Sequence, residues 1–198
     1  MGAEMDTNKE RVRKYFNSQA KEYDISKRSQ FATRCYPYVL NVLGPIQFNN
    51  ILDVGCGTGT LLAKLLNKKP QISIYGLDLS EEMLENAKKK LSTYIELVYG
   101  EAEALPYDNK KFDIVVMVDS FNYFINPEQA AREAYRVLKP GGTLVIADKM
   151  LNGIKKLFIE GNHYTEEEIR MFLKKAGFNV INLIKKIPNG YLVTGDKR

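Results

Sequence analysis

Residues 51–66 read ILDVGCGTGTLLAKLL, and this stretch restricts the fold more than any other. A short apolar run carrying Asp53 leads into Gly55, Gly57 and Gly59 at alternate positions, then into leucines at helical spacing. A strand that turns directly into a helix through glycines lets its main chain approach a ligand closely. Such units belong to chains that alternate strands and helices, and the rest of the sequence keeps that rhythm. NILDV (50–54), ISIYGLDL (72–79), IELVYG (95–100), FDIVVMV (112–118) and TLVIAD (143–148) read as strands. FDIVVMV is apolar nearly throughout, as expected of a parallel strand covered on both faces.

The intervening helices carry their own end signals. SEEMLENAKKKL (80–91) opens with Ser80 as N-cap, has acids in its first turn and ends in lysines, which suits the helix dipole. NPEQAAREAYRVL (126–138) has Asn126 as cap and Pro127 at the first helical position, where a proline fits. KPGG is expected to turn the chain into TLVIAD. Two helical stretches are predicted within residues 7–43. Near the other end, YTEEEIRMFLKKAG is a helix stopped by Gly177. FNVINLIKKI and YLVTGDK then form a hairpin about a two-residue Asn189-Gly190 turn, and strands so joined are antiparallel. The fold class is α/β: a doubly wound, mostly parallel sheet with one reversed strand and helices on both faces. A chain of 198 residues suits one core rather than two.

Several function classes become unattractive on composition alone. Net charge is +5, but the lysine doublets and triplets spread along the whole chain at element ends. That is a solvated surface, whereas a nucleic-acid footprint clusters on one face. No apolar stretch is long enough to span a bilayer, and the charged start is unlike a signal peptide. Two cysteines, Cys35 and Cys56, make no disulfide framework, so a cytoplasmic setting is expected.

The glycine spacing narrows the ligand. In the dinucleotide fingerprint the third glycine falls three residues after the second, a position held here by Thr60. No phosphate-binding lysine follows the loop either. Asp78 ends the next strand, where a carboxylate can take both hydroxyls of a ribose. The pattern suits an adenosine-bearing ligand without phosphates.

ILDVGCGTG, YGLDLSEEML, GEAEALPY, FDIVVMV and RVLKPGGTLVIAD resemble, in order and spacing, the successive motifs of class I S-adenosylmethionine-dependent methyltransferases. The small-molecule branch that includes the ubiquinone and menaquinone biosynthesis C-methyltransferases is the most similar. The resemblance implies a Rossmann-like sheet of seven strands with an antiparallel strand in the last-but-one position. It also implies an N-terminal helical lid (1–48), a cofactor-binding core (49–150) and an acceptor-side helix and hairpin (151–198). The cofactor implied is S-adenosyl-L-methionine, with S-adenosyl-L-homocysteine as product, and no metal.

Carried over residue by residue, the resemblance gives the methionine end to Asp53 and the Gly55-Cys56-Gly57 main chain, with Gly59 completing the loop. Asp78 accepts the ribose hydroxyls, and Leu79 and Met83 cover the adenine. Glu101, where the family more often has aspartate, reaches the adenine amino group, and the Ala102 amide serves a ring nitrogen. Val118 offers its carbonyl to the methionine ammonium. YFNSQAKEYD resembles the family's N-terminal lid motif and brings Tyr23 and Tyr15 toward the methionine carboxylate.

Methyl transfer from a sulfonium asks mainly for in-line alignment, and a base only when the acceptor must lose a proton. The candidates are Asp119, Asn122 and Tyr123 after the fourth strand, Lys149 after the fifth, and His163, the only histidine. Asn122-Tyr123 stands where relatives often carry histidines. No NPPY-like run follows the fourth strand, and no proline-cysteine nucleophile is present, which argues against DNA base methylation. The N-terminal helices and KMLNGIKKLFIEGNHY (149–164) are left to recognise the acceptor. A small molecule is favoured; tRNA or protein methylation, or a non-catalytic S-adenosylmethionine-binding partner protein, are the alternatives. Oligomeric state is not legible.

Overall fold

The apolar run ahead of the glycines forms β1 (Asn50–Val54), and the chain leaves it through the glycine turn into α3 (Thr60–Lys68). A computed structural model describes residues 2–91, 95–150, 162–184 and 187–198. Before β1 come α1 (Gly2–Gln19), a 3-10 segment (Ala20–Ile25) and α2 (Ser29–Leu43). After α3 follow β2 (Ser73–Asp78), α4 (Glu81–Lys90), β3 (Glu96–Tyr99), β4 (Phe112–Val118) and a 3-10 turn (Phe121–Tyr123). The chain then runs through α5 (Pro127–Val137), β5 (Leu138–Lys149), α6 (Glu166–Ala176), β6 (Val180–Ile184) and β7 (Gly190–Asp196).

The seven strands are ordered β3-β2-β1-β4-β5-β7-β6. The pairs from β3 to β5 are parallel, and β7 runs antiparallel to both β5 and β6. The reversed strand therefore occupies the last-but-one position, as the resemblance implies. Strand order changes direction between β1 and β4, and the carboxyl ends of those two strands open a crevice.

The period of two along each strand divides the apolar side chains between two layers. Ile51, Ile114, Val116 and Val145 join Val39 and Leu43 of α2, Leu62 and Leu65 of α3 and Leu84 of α4. Leu52, Val54, Val115, Met117 and Ile146 join Ala130 and Ala134 of α5 and Ile169 and Leu173 of α6. Each such side chain, fully buried, contributes about 1.5–3 kcal/mol. The helix ends follow the local chemistry: Ser80 and Asn126 accept from Met83 N at 3.2 Å and Gln129 N at 3.0 Å. Gly177 caps α6 with a φ of 109°.

Three local expectations are corrected. The hairpin turn is not a two-residue Asn189-Gly190 loop: Gly190 N donates to Ile187 O at 3.0 Å, so Pro188 and Asn189 take the central positions. Proline fixes its own φ at the first of these, and Asn189 adopts the left-handed conformation the second requires, φ 59°. KPGG lies inside β5 as an irregularity, where pairing with β4 jumps from Phe112–Leu138 to Ile114–Thr143 and Gly141 has φ 81°. Finally, α6 begins at Glu166, since Thr165 and Glu168 form a capping box that leaves Tyr164 outside. Residues 151–161 of the expected acceptor segment, and Lys185-Lys186 of the hairpin, lie outside the described residues.

Candidate functional site

Gly55, Gly57 and Gly59 all have positive φ, 78°, 53° and 72°. The alternate spacing is thus a run of left-handed turns that residues with a Cβ rarely adopt. At Gly55 space is also excluded, because a Cβ would stand 2.4 Å from Ser120 Cβ. At Gly57 nothing lies within 4 Å of that position, so the main chain faces open space. Gly57 N donates to Asp78 Oδ2 at 2.7 Å and Ser80 N to Asp78 Oδ1 at 2.9 Å. One carboxylate at the end of β2 therefore ties the loop after β1 to the start of α4. Burial pushes the Asp78 carboxyl up to about 6 against the lowering effect of those amides.

A cavity partly open to solvent occupies the crevice. Gly55, Cys56 and Gly57 form one wall, Asp78, Leu79 and Met83 the next, and Glu101 and Ala102 a third. Val118, Asp119 and Tyr123 close the β4 side, and Tyr23 covers it from the N-terminal segment. Residues spread from 23 to 123 in the sequence are brought together here.

Six of the expected residues do not line the cavity; of these, Asn122 donates to Asp148 and Lys149 pairs with Asp119. Gly59 starts α3 beneath the loop, packed towards Leu91 and Ala87. Asp53 lies behind it, 3% exposed, with Oδ1 lacking a hydrogen-bond partner among the described residues. Burial, and then the nearby Asp78 carboxylate, push the Asp53 carboxyl up to about 8. Tyr15 faces away, edge-on to Phe16 at 5.1 Å and under the Arg28 guanidinium at 4.8 Å. His163 is buried beside the 3-10 turn after β4, where Asn162 N donates to Asn122 O at 2.7 Å.

The cavity also takes residues that the sequence pattern did not single out. Lys9, Phe16, Ala32 and Tyr36 come from α1 and α2, and Glu103 and Phe124 from loops. Phe16 meets Tyr123 edge-on at 4.9 Å across the opening. Tyr36 follows Ala32 by one helical turn, a signal of a shared face that becomes informative only once α2 is known to cross the crevice.

The charge balance is distinctive. Asp78, Glu101, Glu103 and Asp119 line the cavity, against Lys9 as the one lysine or arginine among its described lining residues, and Lys9 pairs with Glu101. A polyphosphate finds poor compensation there, whereas a cationic ligand is favoured. No group of residues among those described is arranged to hold a metal ion. No helix among them is long and apolar enough to cross a membrane.

A family model described as a methyltransferase domain matches residues 52–146, from β1 to β5. The demethylmenaquinone methyltransferase of Thermotoga maritima is 31% identical over 151 residues, 75% of this chain and 66% of that protein. The chain carries a methyltransferase domain. Its methyltransferase domain also resembles the malonyl-[acyl-carrier protein] O-methyltransferase of Priestia megaterium, 33% identical over 71% of this chain and 52% of that protein. The chain thus spans less than two thirds of the length of these curated relatives. In fold it is similar to a chain of the complex between the Haloferax volcanii Trm112 methyltransferase activator and a methyltransferase. That match has a TM-score of 0.79 and 21% identity, and covers 91% of this chain and 96% of the other.

Proposed function

We propose that this methyltransferase domain moves a methyl group from S-adenosyl-L-methionine to a small-molecule acceptor. The observation that carries the reading is the cavity itself: a left-handed glycine loop tied to a buried aspartate, acidic walls, and its lysine already paired. The donor, when bound, supplies an electrophilic methyl on a sulfonium. Asp78 would hold the ribose hydroxyls of the bound donor, Leu79 and Met83 would cover the adenine, and the Gly55–Gly57 main chain with Val118 would border the amino-acid end. The buried Asp53, with its unpartnered Oδ1, places a carboxyl kept largely neutral near pH 7 behind that end.

The chain's other task is alignment and exclusion of water, since aligning nucleophile, methyl and sulfur supplies much of the acceleration. Phe16, Tyr23, Tyr36 and Tyr123 enclose the acceptor side. Lid (1–48), core (49–150) and acceptor-side region (151–198) are parts of the same proposal. Relatives named for a quinone precursor and for an acyl group on a carrier protein define the acceptors to screen. The test is transfer of labelled methyl from S-adenosylmethionine to such a panel. Methylation of one acceptor supports the reading, and tight cofactor binding without turnover on any would favour a non-catalytic partner protein.

A further inference from the structure

Asp119 and Asp148 stand at the ends of adjacent strands, β4 and β5, and are 8% and 0% exposed. Lys149 Nζ pairs with Asp119 Oδ1 at 2.9 Å. The Asp148 oxygens accept from Asn122 N at 3.0 Å, Asn122 Nδ2 at 2.8 Å and Lys149 N at 2.7 Å, all neutral donors. Among the described residues, the Lys149 ammonium is thus paired directly with Asp119, and the Arg34 guanidinium acts on Asp119 from further away. Asp148 has neutral hydrogen-bond donors only, so full ionisation of the two buried carboxylates leaves its charge poorly compensated. Asp119 lines the cavity, and its φ of 54° is uncommon for a residue with a Cβ.

We infer that Asp119 and Asp148 together hold one exchangeable proton, which leaves when a cationic ligand enters the cavity and is replaced by the acceptor's proton when that cationic charge is lost. This rests on the methyltransferase reading and adds to it a proton acceptor and a class of substrate. The nucleophile's own electron pair forms the bond to the methyl carbon, the pair of the breaking carbon–sulfur bond goes to sulfur, and the nucleophile's proton passes to the Asp119 carboxylate. Asp148 is the positioning partner, holding the 3-10 turn through Asn122. The acceptor is then one with a proton to lose, such as a hydroxyl, an amine or an activated carbon, and not a thioether.

The neighbours fit this role. Burial and the mutual repulsion of the two carboxylates push Asp148 up to about 7, and burial raises Asp119 as well. Around them, α2 contributes Arg34, Cys35 and Tyr36, the N-terminal segment Tyr23, and β7 Tyr191, with Tyr164 and His163 in the loop before α6. Burial pushes the Tyr23, Tyr36 and Tyr191 hydroxyls and the Cys35 thiol upward, so they stay neutral near pH 7. Asp53 and Asp78 also respond to a bound cation, so the test must separate the pair from them.

Calorimetry at pH 7 in buffers of different ionisation enthalpy counts the protons released on binding. S-Adenosylmethionine carries the sulfonium charge and S-adenosylhomocysteine does not. The expected result is greater proton release with S-adenosylmethionine, a difference that shrinks in both Asp148→Asn and Asp119→Asn. Both variants keep side-chain volume and are checked by thermal melting, so one that fails to fold leaves the other to decide. Asp119→Asn should also lower turnover roughly 10²–10⁴-fold, the usual worth of a general base, with S-adenosylhomocysteine affinity kept. Equal release with the two ligands in the unsubstituted protein, or a difference untouched in a folded variant, overturns the inference while leaving the cofactor reading intact. Binding of neither ligand overturns both.

Discussion

Asp78 accepts a hydrogen bond from the Gly57 amide at 2.7 Å, joining the carboxyl end of β2 to the loop that leaves β1. The same carboxylate accepts the Ser80 amide at 2.9 Å, so it organises the loop while facing the cavity. Asp78→Ala is therefore expected to weaken S-adenosylhomocysteine binding by one to two orders of magnitude, since hydrogen bonds to a charged group contribute about 1.5–3 kcal/mol. It should also lower the melting temperature of the ligand-free protein, because two amides lose their acceptor. Calorimetry and melting on the same preparation read both effects, and an unchanged affinity would place the ribose elsewhere.

Ligand preference follows from the acidic lining and the Lys9–Glu101 pair. S-Adenosylmethionine and S-adenosylhomocysteine should each stabilise the protein, by about 2.7 kcal/mol at 100 times the dissociation constant. NAD and ATP should produce no thermal shift. A shift with NAD and none with S-adenosylhomocysteine would contradict the proposed cofactor.

The N-terminal segment is held largely by polar contacts. Arg13 pairs with Glu81 at 2.8 Å, Ser80 Oγ donates to Asn17 at 2.6 Å, and Thr58 and Lys90 donate to Asp24 at 2.6 and 2.7 Å. Partly exposed pairs of this kind contribute no more than about 1 kcal/mol each. Residues 7–24 should therefore exchange amide hydrogens faster than residues 51–66 without ligand, and gain protection when S-adenosylhomocysteine bridges Tyr23 and the glycine loop. Hydrogen exchange with and without ligand measures this, and equal protection in both states would make the segment permanent structure.

Asp53 gives a pH prediction with a definite sign. Its carboxyl is raised to about 8 by burial, so between the unfolded value near 4 and that point the native state holds the extra proton. Stability attributable to this group is present at low pH and lost as pH rises through about 8. Asp53→Asn should stabilise the protein more at pH 8.5 than at pH 5, because an amide at this buried position cannot ionise. The advantage should disappear near pH 5. Denaturant melts at the two pH values decide it, and an equal effect at both would mean that Asp53 does not titrate in this range.

Much of the architecture is written locally in the sequence. Ser80 and Asn126 cap their helices because the capping hydrogen bond spans only three residues. The alternation in FDIVVMV divides two core layers because a strand's side chains repeat every two positions. Gly55, Gly57 and Gly59 declare a left-handed loop, and Asp78 is legible because it ends the strand next in the chain. Turn detail was less legible, since Pro188 preceding Asn189 moves the central pair of the turn one residue back, from Asn189-Gly190 to Pro188-Asn189.

The strand and helix alternation and the glycine loop were readable from residue spacing alone. Tertiary structure decided which distant residues meet there. Tyr15 and Tyr23 sit in one motif, yet only Tyr23 lines the cavity, while Tyr15 packs against Phe16 and Arg28. Asp119 and Asp148 are separated by α5 and become neighbours only because β4 and β5 are adjacent parallel strands with the same register. Short-range hydrogen bonds and side-chain periodicity act over a few residues and can be read from spacing. Proximity across the crevice depends on the order in which strands assemble, and the burial that perturbs these carboxylates exists only once both layers have closed over the sheet.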